Sequence, residues 1–334
     1  LLRRPPGLLV LLCVVFAGLG SGAYFYRTKA FEVRAGILKR LEAAPTDPDE
    51  QLTAWLGDER GSVGRLDPQL LETAGQLQWL ACPQAGPSPE FYFPELVSSP
   101  VIVTNMRGIF NDCISEHIMS FVLAFSRGLH VYLPEQFRGR WIPQLKADKM
   151  PTLPEALALI IGVGGIGTAT AAHCRHFGMT VTGVDPRVPE APEGVDVLVR
   201  PEQLDDHLSQ ADFVIMTAPQ TTATEGLFDL DRFKLMKRSA VFINIGRGTS
   251  VRLLDLVAAL SEGIIGGAAL DVFEEEPLPN DHPLWSAPNF LMTPHVAGTG
   301  RDIDQRRLGL LIENCKNLVK GNPLVNIVDK AMRF

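Results

Sequence analysis

The segment LALIIGVGGIG, residues 157–167, decides the fold of this 334-residue chain. Its first five apolar residues predict a buried strand, and the loop Gly162-x-Gly164-x-x-Gly167 follows directly. In this pattern the first glycine permits a tight turn, the second lets the backbone approach a pyrophosphate, and the third allows close helix–strand packing. The small residues after Gly167 predict a helix whose N-terminus presents N–H groups to phosphates. The segment therefore predicts a dinucleotide-binding unit.

An acidic residue stands where such a unit binds the ribose. Asp185 ends the next predicted strand, at the spacing of about 20 residues that accompanies this glycine pattern. Its carboxylate can accept hydrogen bonds from both ribose hydroxyls and repels a 2′-phosphate, which favours NAD over NADP. Arg187 can meet a phosphate and keeps NADP open as the alternative cofactor.

Strand and helix patterns alternate from Pro154 onward. Near-continuous apolar runs, such as 213–216 and 241–243, suit a parallel sheet covered on both faces. Helices are predicted at 166–177 and 250–262. We therefore predict an α/β fold with a doubly wound parallel sheet. The predicted strands are 157–161, 179–184, 212–217, 240–245, 265–270 and 289–292.

The remaining sequence has a less regular pattern. A strongly apolar helix is predicted from Ser115, as its N-cap, to Leu129, and linker-like sequence runs from there to Pro154. We expect the tail after the last helix to return to the first domain. The other predicted elements are helices at 32–43 and 302–319, a helix opened by Asp67-Pro68, and strands at 77–80 and 101–103.

Composition limits the class of protein. The net charge of −7 gives no electrostatic reason to expect nucleic-acid binding. The five cysteines are widely spread without a Cys-x-x-Cys pair, so neither a disulfide framework nor a zinc site is predicted. His173 and His176 lie one helical turn apart but lack further ligands at suitable spacing, and no metal is expected. Trp141 and Trp285 are interpreted as packing residues.

Residues 1–30 differ from the rest of the chain. An apolar run at 8–26 has arginine or lysine residues on both sides, and its length suits a membrane anchor. A short apolar region ending in small residues also suits a secretory signal. The alternatives are a buried first strand and an atypical start of the sequence. We expect the catalytic part to be cytoplasmic, with membrane anchoring or export only through residues 8–26.

Three polar residues in the last third suit the reduction of a 2-keto acid. Arg247 lies in a Gly-Arg-Gly loop at a strand end, where open α/β sheets place ligand groups, and a guanidinium grips a carboxylate bidentately. His295 follows the last strand, and imidazole is the natural acid/base near neutral pH. Glu276 can fix its tautomer, whereas Glu274 and Glu275 are interpreted as solvated. The sequence thus predicts a dehydrogenase.

The chain resembles the D-isomer-specific 2-hydroxyacid dehydrogenases from about Val101 to its C-terminus. That resemblance implies a Rossmann domain, residues 115–296, inserted into a smaller, split flavodoxin-like α/β substrate domain formed by residues 31–114 and 297–334. It also implies a site in the cleft and usually a homodimer. The segments that carry it are Ile161-Gly-Val-Gly-Gly-Ile-Gly167, Ile243-Asn-Ile-Gly-Arg-Gly248, Ala269-Leu-Asp-Val-Phe273 through Glu276-Pro-Leu-Pro279, and Thr293-Pro-His-Val-Ala-Gly298.

Residue roles follow from the same resemblance. It implies that Arg247 binds the substrate carboxylate and carbonyl, that His295 is the acid/base, and that Glu276 supports His295. Asp271 is implied to hold the nicotinamide carboxamide. The full set of implied cofactor-binding residues is Gly162, Gly164, Gly165, Ile166, Gly167, Asp185, Thr217, Ala218, Pro219, Ile245, Gly246, Arg247, Asp271, His295 and Gly298.

Two departures from the family pattern affect the prediction. The substrate loop reads Ala85-Gly86-Pro87-Ser88, where the family commonly has a branched residue and Asp after Ala-Gly, and residues 1–30 do not resemble the family's opening strand and helix. We interpret Asn105, Arg107 and Gly108 as residues that either border the substrate pocket or serve the fold alone.

The expected substrate is a small 2-hydroxy/2-keto acid. Alternatives are another small anion (glyoxylate, hydroxypyruvate, formate or phosphite), a non-catalytic nucleotide-sensing partner protein of the same fold, and a membrane-tethered scaffold.

Overall fold

The computed structural model describes residues 61–63, 66–73, 77–87, 89–143 and 151–333. The predictions for residues 1–30 and for the helix at 32–43 lie outside these ranges. Within them, no helix is both long and apolar enough to cross a membrane. The described residues up to Ile109 and from Arg301 onward form one compact unit, and Phe110–Gly300 forms the other.

The unit Phe110–Gly300 is built on a seven-stranded sheet in which every neighbouring pair is parallel. Its order is β10-β9-β8-β7-β4-β5-β6, so the direction of winding reverses between β4 and β7. Open sheets of this kind bind ligands at that switch point. The strands are β4 (Leu157–Ile161), β5 (Thr180–Val184), β6 (Val197–Val199), β7 (Phe213–Met216), β8 (Val241–Asn244), β9 (Gly267–Leu270) and β10 (Phe290–Met292).

Apolar side chains fill both faces of this sheet. Successive residues of a strand point to opposite faces, so Phe213 and Ile215 belong to one cluster whereas Val214 and Met216 belong to the other. All four side chains of β7 are buried, as the central strand of a doubly wound sheet requires. The predicted doubly wound α/β fold is confirmed.

The sequence predicted six of these strands and missed β6. That strand has only three residues at the edge of the sheet, and its first residue, Val197, is exposed. A short edge strand with one face in solvent gives too few apolar positions for a recognisable pattern.

Helices cover the sheet, and two helix predictions were wrong in detail. Helix α3 begins at Asn111, so Ser115 lies inside it and donates its hydroxyl to the Asp112 carbonyl rather than capping the N-terminus. The segment predicted as a linker contains helix α4 (Leu129–Phe137), which begins after the left-handed Gly128. The helices of this unit are α3 (Asn111–Ser126), α4, α5 (Gly165–His176), α6 (Leu204–Leu208), α7 (Leu230–Lys234) and α8 (Leu253–Ser261).

The second unit contains a parallel sheet in the order β1-β2-β3. Its C-terminal residues contact β3 and the segment before it: the Val328 N–H donates to the Val103 carbonyl, and Lys330 Nζ donates to the carbonyls of Leu96, Ser99 and Val101. The elements are β1 (Gly61–Val63), β2 (Trp79–Ala81), β3 (Ile102–Thr104), α1 (Pro68–Thr73), α2 (Pro94–Ser98) and α9 (Ile303–Lys320).

The unit boundaries differ from the predicted domain boundaries. They lie after Ile109 and after Gly300, rather than after residues 114 and 296. Helix α3 starts four residues before the predicted cap, and the loop after β10 is tied back to β9 because Asp271 accepts hydrogen bonds from the Val296 and Ala297 N–H groups. The assignment of the two units to substrate and cofactor stays a prediction.

Candidate active site

Three glycines of the loop after β4 have different surroundings. Gly162 has a φ of +95°, and a Cβ added there would lie 2.7 Å from Ala218 Cα. A Cβ on Gly167 would lie 2.0 Å from the Gly162 carbonyl oxygen. By contrast, a Cβ on Gly164 meets nothing within 4 Å. Two glycines are thus required by packing, whereas Gly164 leaves open space beside the backbone.

The surroundings of this loop fit a bound dinucleotide. Helix α5 begins at Gly165, next to the open space at Gly164, and the first N–H groups of a helix lack intrahelical partners. Thr217, at the end of β7, donates its hydroxyl to the Gly162 carbonyl at 2.6 Å and so fixes the loop at the switch point. The space beside Gly164 and the N–H groups at the start of α5 thus provide both room and hydrogen-bond donors for a pyrophosphate.

Asp185 lies at the end of β5 and is 2% exposed. Its Oδ1 accepts hydrogen bonds from the backbone N–H groups of Arg187 at 2.8 Å and Val188 at 3.2 Å. These bonds fix the carboxylate in a turn and leave Oδ2 as the further acceptor. Arg200 donates to the Asp185 and Val188 carbonyls from the other side of the turn.

Arg247 follows β8 in a loop that only glycine neighbours permit. A Cβ on Gly248 would lie 1.8 Å from the Phe273 carbonyl oxygen, so the arginine loop packs directly against the segment after β9. Asn244 Nδ2 donates to the Arg247 carbonyl at 2.9 Å, and the guanidinium Nη1 donates to the Gly246 carbonyl at 2.6 Å. Burial lowers the pKa of the Arg247 guanidinium, while the charge of Glu276 raises it.

Glu276 and His295 form a hydrogen-bonded pair. His295 Nδ1 lies 2.7 Å from Glu276 Oε2, and Glu276 Oε1 accepts from the Phe273 N–H at 2.9 Å. Because an ionised carboxylate only accepts hydrogen bonds, Nδ1 carries the proton in this pair and Nε2 faces its surroundings as the exchangeable position. The His295 side chain is 53% exposed, so the ring is accessible.

The pair changes the pKa of each partner. Burial is the largest single effect and raises the pKa of Glu276, but the hydrogen bonds from His295 and Phe273 and the charges of His295 and Arg247 together hold the pKa of that carboxyl below its usual value. The hydrogen bond to Glu276 raises the pKa of His295 against the effect of burial, the charges of Glu276 and Asp271 add to the rise, and the charge of Arg247 opposes it. The guanidinium therefore lies within electrostatic reach of both partners.

Asp271 is buried, and its carboxylate accepts hydrogen bonds from the segment 293–297 that follows β10. Oδ1 accepts from the Thr293 hydroxyl at 2.6 Å and from the Val296 N–H at 2.9 Å, and Oδ2 accepts from the Ala297 N–H at 3.0 Å. Each carboxylate oxygen has about two acceptor positions, so one on Oδ2 remains for a carboxamide.

Comparison with known proteins agrees with this geometry. Residues 119–297 match the family described as D-isomer specific 2-hydroxyacid dehydrogenase, NAD binding domain. The chain belongs to this family. Glyoxylate reductase of Thermofilum pendens is 30% identical to this chain over 80% of this chain and 79% of that protein. Human glyoxylate reductase/hydroxypyruvate reductase is 32% identical over 84% of this chain and 88% of its own length.

A solved structure of the family has the same fold. A D-isomer specific 2-hydroxyacid dehydrogenase from Xanthobacter autotrophicus, in complex with NADPH and MES, is 29% identical with a TM-score of 0.73, and the match covers 82% of this chain and 85% of that one. The chain is thus an NAD(P)-dependent oxidoreductase of 2-hydroxy acids, which bears out the predicted enzyme class and cofactor.

Sequence reasoning missed three side chains of this dehydrogenase. His117 Nε2 lies 2.9 Å from the Thr293 hydroxyl, which in turn contacts Asp271. Glu274 is exposed, as interpreted, but its carboxylate also accepts the Leu253 N–H at 2.8 Å and supplies the cap that Arg252, the N-cap residue of α8, does not provide. Thr293 stood beside the quoted His295 motif, but no sequence signal links His117 or Glu274 to their partners.

The structure also places Asn105 and the two tryptophans that the sequence analysis interpreted. Asn105 is buried, and its side chain joins the Ala85 carbonyl to the Arg107 N–H, so it connects two loops of its own unit. Trp141 and Trp285 are exposed, so their interpretation as packing residues was wrong. Among the described residues, no group of three or more His, Cys, Asp or Glu side chains is arranged to hold a metal ion.

Proposed function

We propose that this dehydrogenase reduces a small 2-keto acid with Arg247 as carboxylate clamp, His295 as proton donor and Glu276 as the residue that orients His295. The observation that carries the proposal is the 2.7 Å contact between His295 Nδ1 and Glu276 Oε2, with Arg247 in electrostatic reach of both. A bound NAD(H) supplies or accepts the hydride.

Each residue has a separate task in this reaction. The guanidinium of Arg247 holds the substrate carboxylate, since it stays protonated and donates in a fork that matches two oxygens. Protonated His295 gives the proton on Nε2 to the substrate oxygen as the alcohol forms. Glu276 stabilises the imidazolium and so keeps that proton available near neutral pH. In the direction of oxidation, neutral His295 accepts the same proton.

Glyoxylate and hydroxypyruvate are the first substrates to test, because the relatives are named for their reduction. A panel of 2-keto acids with NADH, followed by absorbance, tests the proposal. We expect turnover that falls about 100-fold or more in His295→Ala, while NADH binding stays near normal. His207→Ala, a helix-surface change outside the pair, serves as control. Turnover that survives His295→Ala would refute the acid/base role.

The cofactor proposal is a preference for NAD. It rests on Asp185, whose fixed carboxylate repels a 2′-phosphate. Gly162, Gly164, Gly165 and Gly167, around the start of α5, are implied contacts of either cofactor. The remaining implied contacts are Ile166, Thr217, Ala218, Pro219, Ile245, Gly246, Arg247, Asp271, His295 and Gly298.

We also propose a homodimer that uses an apolar stripe on and beyond α4. Leu129, Leu133 and Phe137 recur at the i, i+4 spacing of one face of α4, and Trp141 lies in the segment after the helix; Phe137 and Trp141 are 85% and 93% exposed. Such a patch usually marks a protein interface. Analytical ultracentrifugation should show a dimer that dissociates in Phe137→Asp/Trp141→Asp but not in Leu254→Asp. A monomeric parent protein would contradict the proposal.

Membrane attachment through residues 8–26 is tested separately. Their apolar run with basic flanks is long enough to cross a bilayer. Cells expressing the full chain are fractionated beside cells expressing a version that starts at Phe31. Equal distribution of the two proteins would rule out an anchor.

A further inference from the structure

The loop after β10 holds His295 in an uncommon backbone conformation. Its φ is +53°, in the left-handed region that residues other than glycine adopt only at an energetic cost. Such a conformation persists only where the surrounding contacts impose it. The His295 N–H donates to the Asp271 carbonyl at 2.9 Å and to the Thr293 carbonyl at 3.0 Å.

The carboxylate of Asp271 completes the restraint on this loop. It binds the N–H groups of Val296 and Ala297, the two residues that follow His295. Together with its carbonyl, Asp271 therefore holds three successive N–H groups of the segment 295–297. Asp271 directly follows β9, a buried strand that pairs with both β8 and β10, so these bonds fix the loop that carries the imidazole to the interior of the sheet.

Two further side chains continue the chain of contacts. The Thr293 hydroxyl has a single proton, which it donates to Asp271 Oδ1 at 2.6 Å. Its contact with His117 Nε2 at 2.9 Å must then be one in which the imidazole donates and the hydroxyl accepts. The ring of His117 is held in turn by an edge-on contact with Phe121 on the same helix, α3. The donor on Nε2 is present in the protonated ring and in the Nε2–H tautomer of the neutral ring, which this contact selects.

We propose that His117 and Thr293 are positioning residues for His295, which act by orienting the Asp271 carboxylate. This role rests on the proposed acid/base function of His295. His117 donates to Thr293, Thr293 donates to Asp271, and Asp271 fixes the loop from which the imidazole meets Glu276. Neither residue lies in the substrate clamp. Their loss should therefore slow the chemical step and leave the affinity for the keto acid almost unchanged.

Paired substitutions test the two links. Thr293→Val keeps the shape but removes the hydroxyl, and Thr293→Ser restores it. His117→Leu removes the donor, and His117→Gln offers an amide N–H at a similar reach. With NADH and glyoxylate, or the best acid of the panel, we expect kcat to fall about tenfold in Thr293→Val and His117→Leu with KM within about twofold. Ser and Gln should restore kcat to within about threefold of the parent.

A readout independent of activity separates this proposal from the proposed function. Hydrogen–deuterium exchange of residues 293–298 should quicken in Thr293→Val and His117→Leu, while exchange of the glycine loop at 162–167 stays unchanged. His207→Leu, another half-buried helix histidine, should alter neither kcat nor exchange at 293–298.

The outcomes are distinct. Faster exchange at 293–298 with lowered kcat supports the proposal, and unchanged exchange in both variants overturns it whatever the activity. If His295→Ala turns over as fast as the parent enzyme, the acid/base function is overturned, and with it this positioning role in catalysis. A change in KM alone would also overturn the proposal, because it would assign the residues to substrate binding.

Discussion

His295 and Glu276 meet through a hydrogen bond of 2.7 Å between Nδ1 and Oε2, although they follow different strands of the sheet. Glu276 comes after β9 and His295 after β10, and these two strands are adjacent and parallel. Parallel neighbours bring their carboxyl ends to the same edge, so the pair forms there. The shifted pKa values of Glu276 and His295 therefore arise only when the chain folds and brings the two side chains together.

Replacement of that carboxylate should change the pH dependence of reduction. The hydrogen bond and charge of Glu276 raise the pKa of His295, so Glu276→Gln should lower it. Reduction requires the protonated imidazole and is lost as the pH rises through that pKa. We therefore expect the basic limb of the kcat/KM profile to move to lower pH in Glu276→Gln, and to stay in place in Glu275→Gln. An unmoved limb would show that the pair does not control the proton donor.

The same pair links pH to stability. His295 has a raised pKa in the folded state, so its contribution is complete below the unfolded value and is lost as the pH rises through the folded pKa. Glu276 has a lowered pKa, so its contribution is present above its unfolded value and is lost as the pH falls through the folded pKa. Both contributions overlap around weakly acidic to neutral pH, and the exposure of His295 keeps them small.

Arg247→Lys should weaken the clamp. A lysine keeps the charge but loses the planar fork, and a hydrogen bond to a charged group contributes about 1.5–3 kcal/mol. We expect kcat/KM for the keto acid to fall about 10- to 100-fold, with a raised KM and a lowered kcat. Arg252→Lys, at the exposed N-cap of α8, is the matched control. If KM and kcat of Arg247→Lys both equal those of the parent enzyme, Arg247 does not bind the substrate carboxylate.

Asp185→Ala should relax the cofactor preference. The substitution removes a carboxylate that repels a 2′-phosphate and binds ribose hydroxyls, so the ratio of kcat/KM for NADPH over NADH should rise about tenfold. Asp206→Ala, an exposed change on α6, controls for loss of charge. If initial rates give the same ratio in Asp185→Ala as in the parent enzyme, Asp185 does not discriminate the cofactors.

Two glycines of the loop should respond differently to an added methyl group. Gly167→Ala places Cβ 2.0 Å from the Gly162 carbonyl oxygen, so we expect a loss of about 1–3 kcal/mol in the free energy of unfolding. Gly164→Ala meets no protein atom within 4 Å and should leave unfolding near normal. If the open space is where the pyrophosphate lies, Gly164→Ala should instead weaken NADH binding, which fluorescence titration measures. Equal NADH affinity in Gly164→Ala and the parent would contradict that location.

Much of the fold could be predicted because its signals are local. The apolar strands, the turn at Gly162 and the helix that follows are determined by short-range periodicity and by residues with special backbone freedom. The same reasoning missed β6, where one face is solvated, and placed the start of α3 four residues late, because a Ser that can cap also fits inside a helix. It also mistook the exposed Trp141 for a packing residue, since an apolar side chain alone does not reveal what covers it.

The candidate site also combines features that the sequence determined with features that only the tertiary structure decided. By itself the sequence determined the glycine loop after β4 and singled out Asp185, Arg247, Glu276 and His295 as site candidates, because each stands in a motif that follows a strand. Only the tertiary structure decided that His117 contacts Thr293 and that Glu274 caps α8. Those contacts join residues far apart in the chain, and no local pattern encodes which elements become neighbours when the sheet packs against its helices.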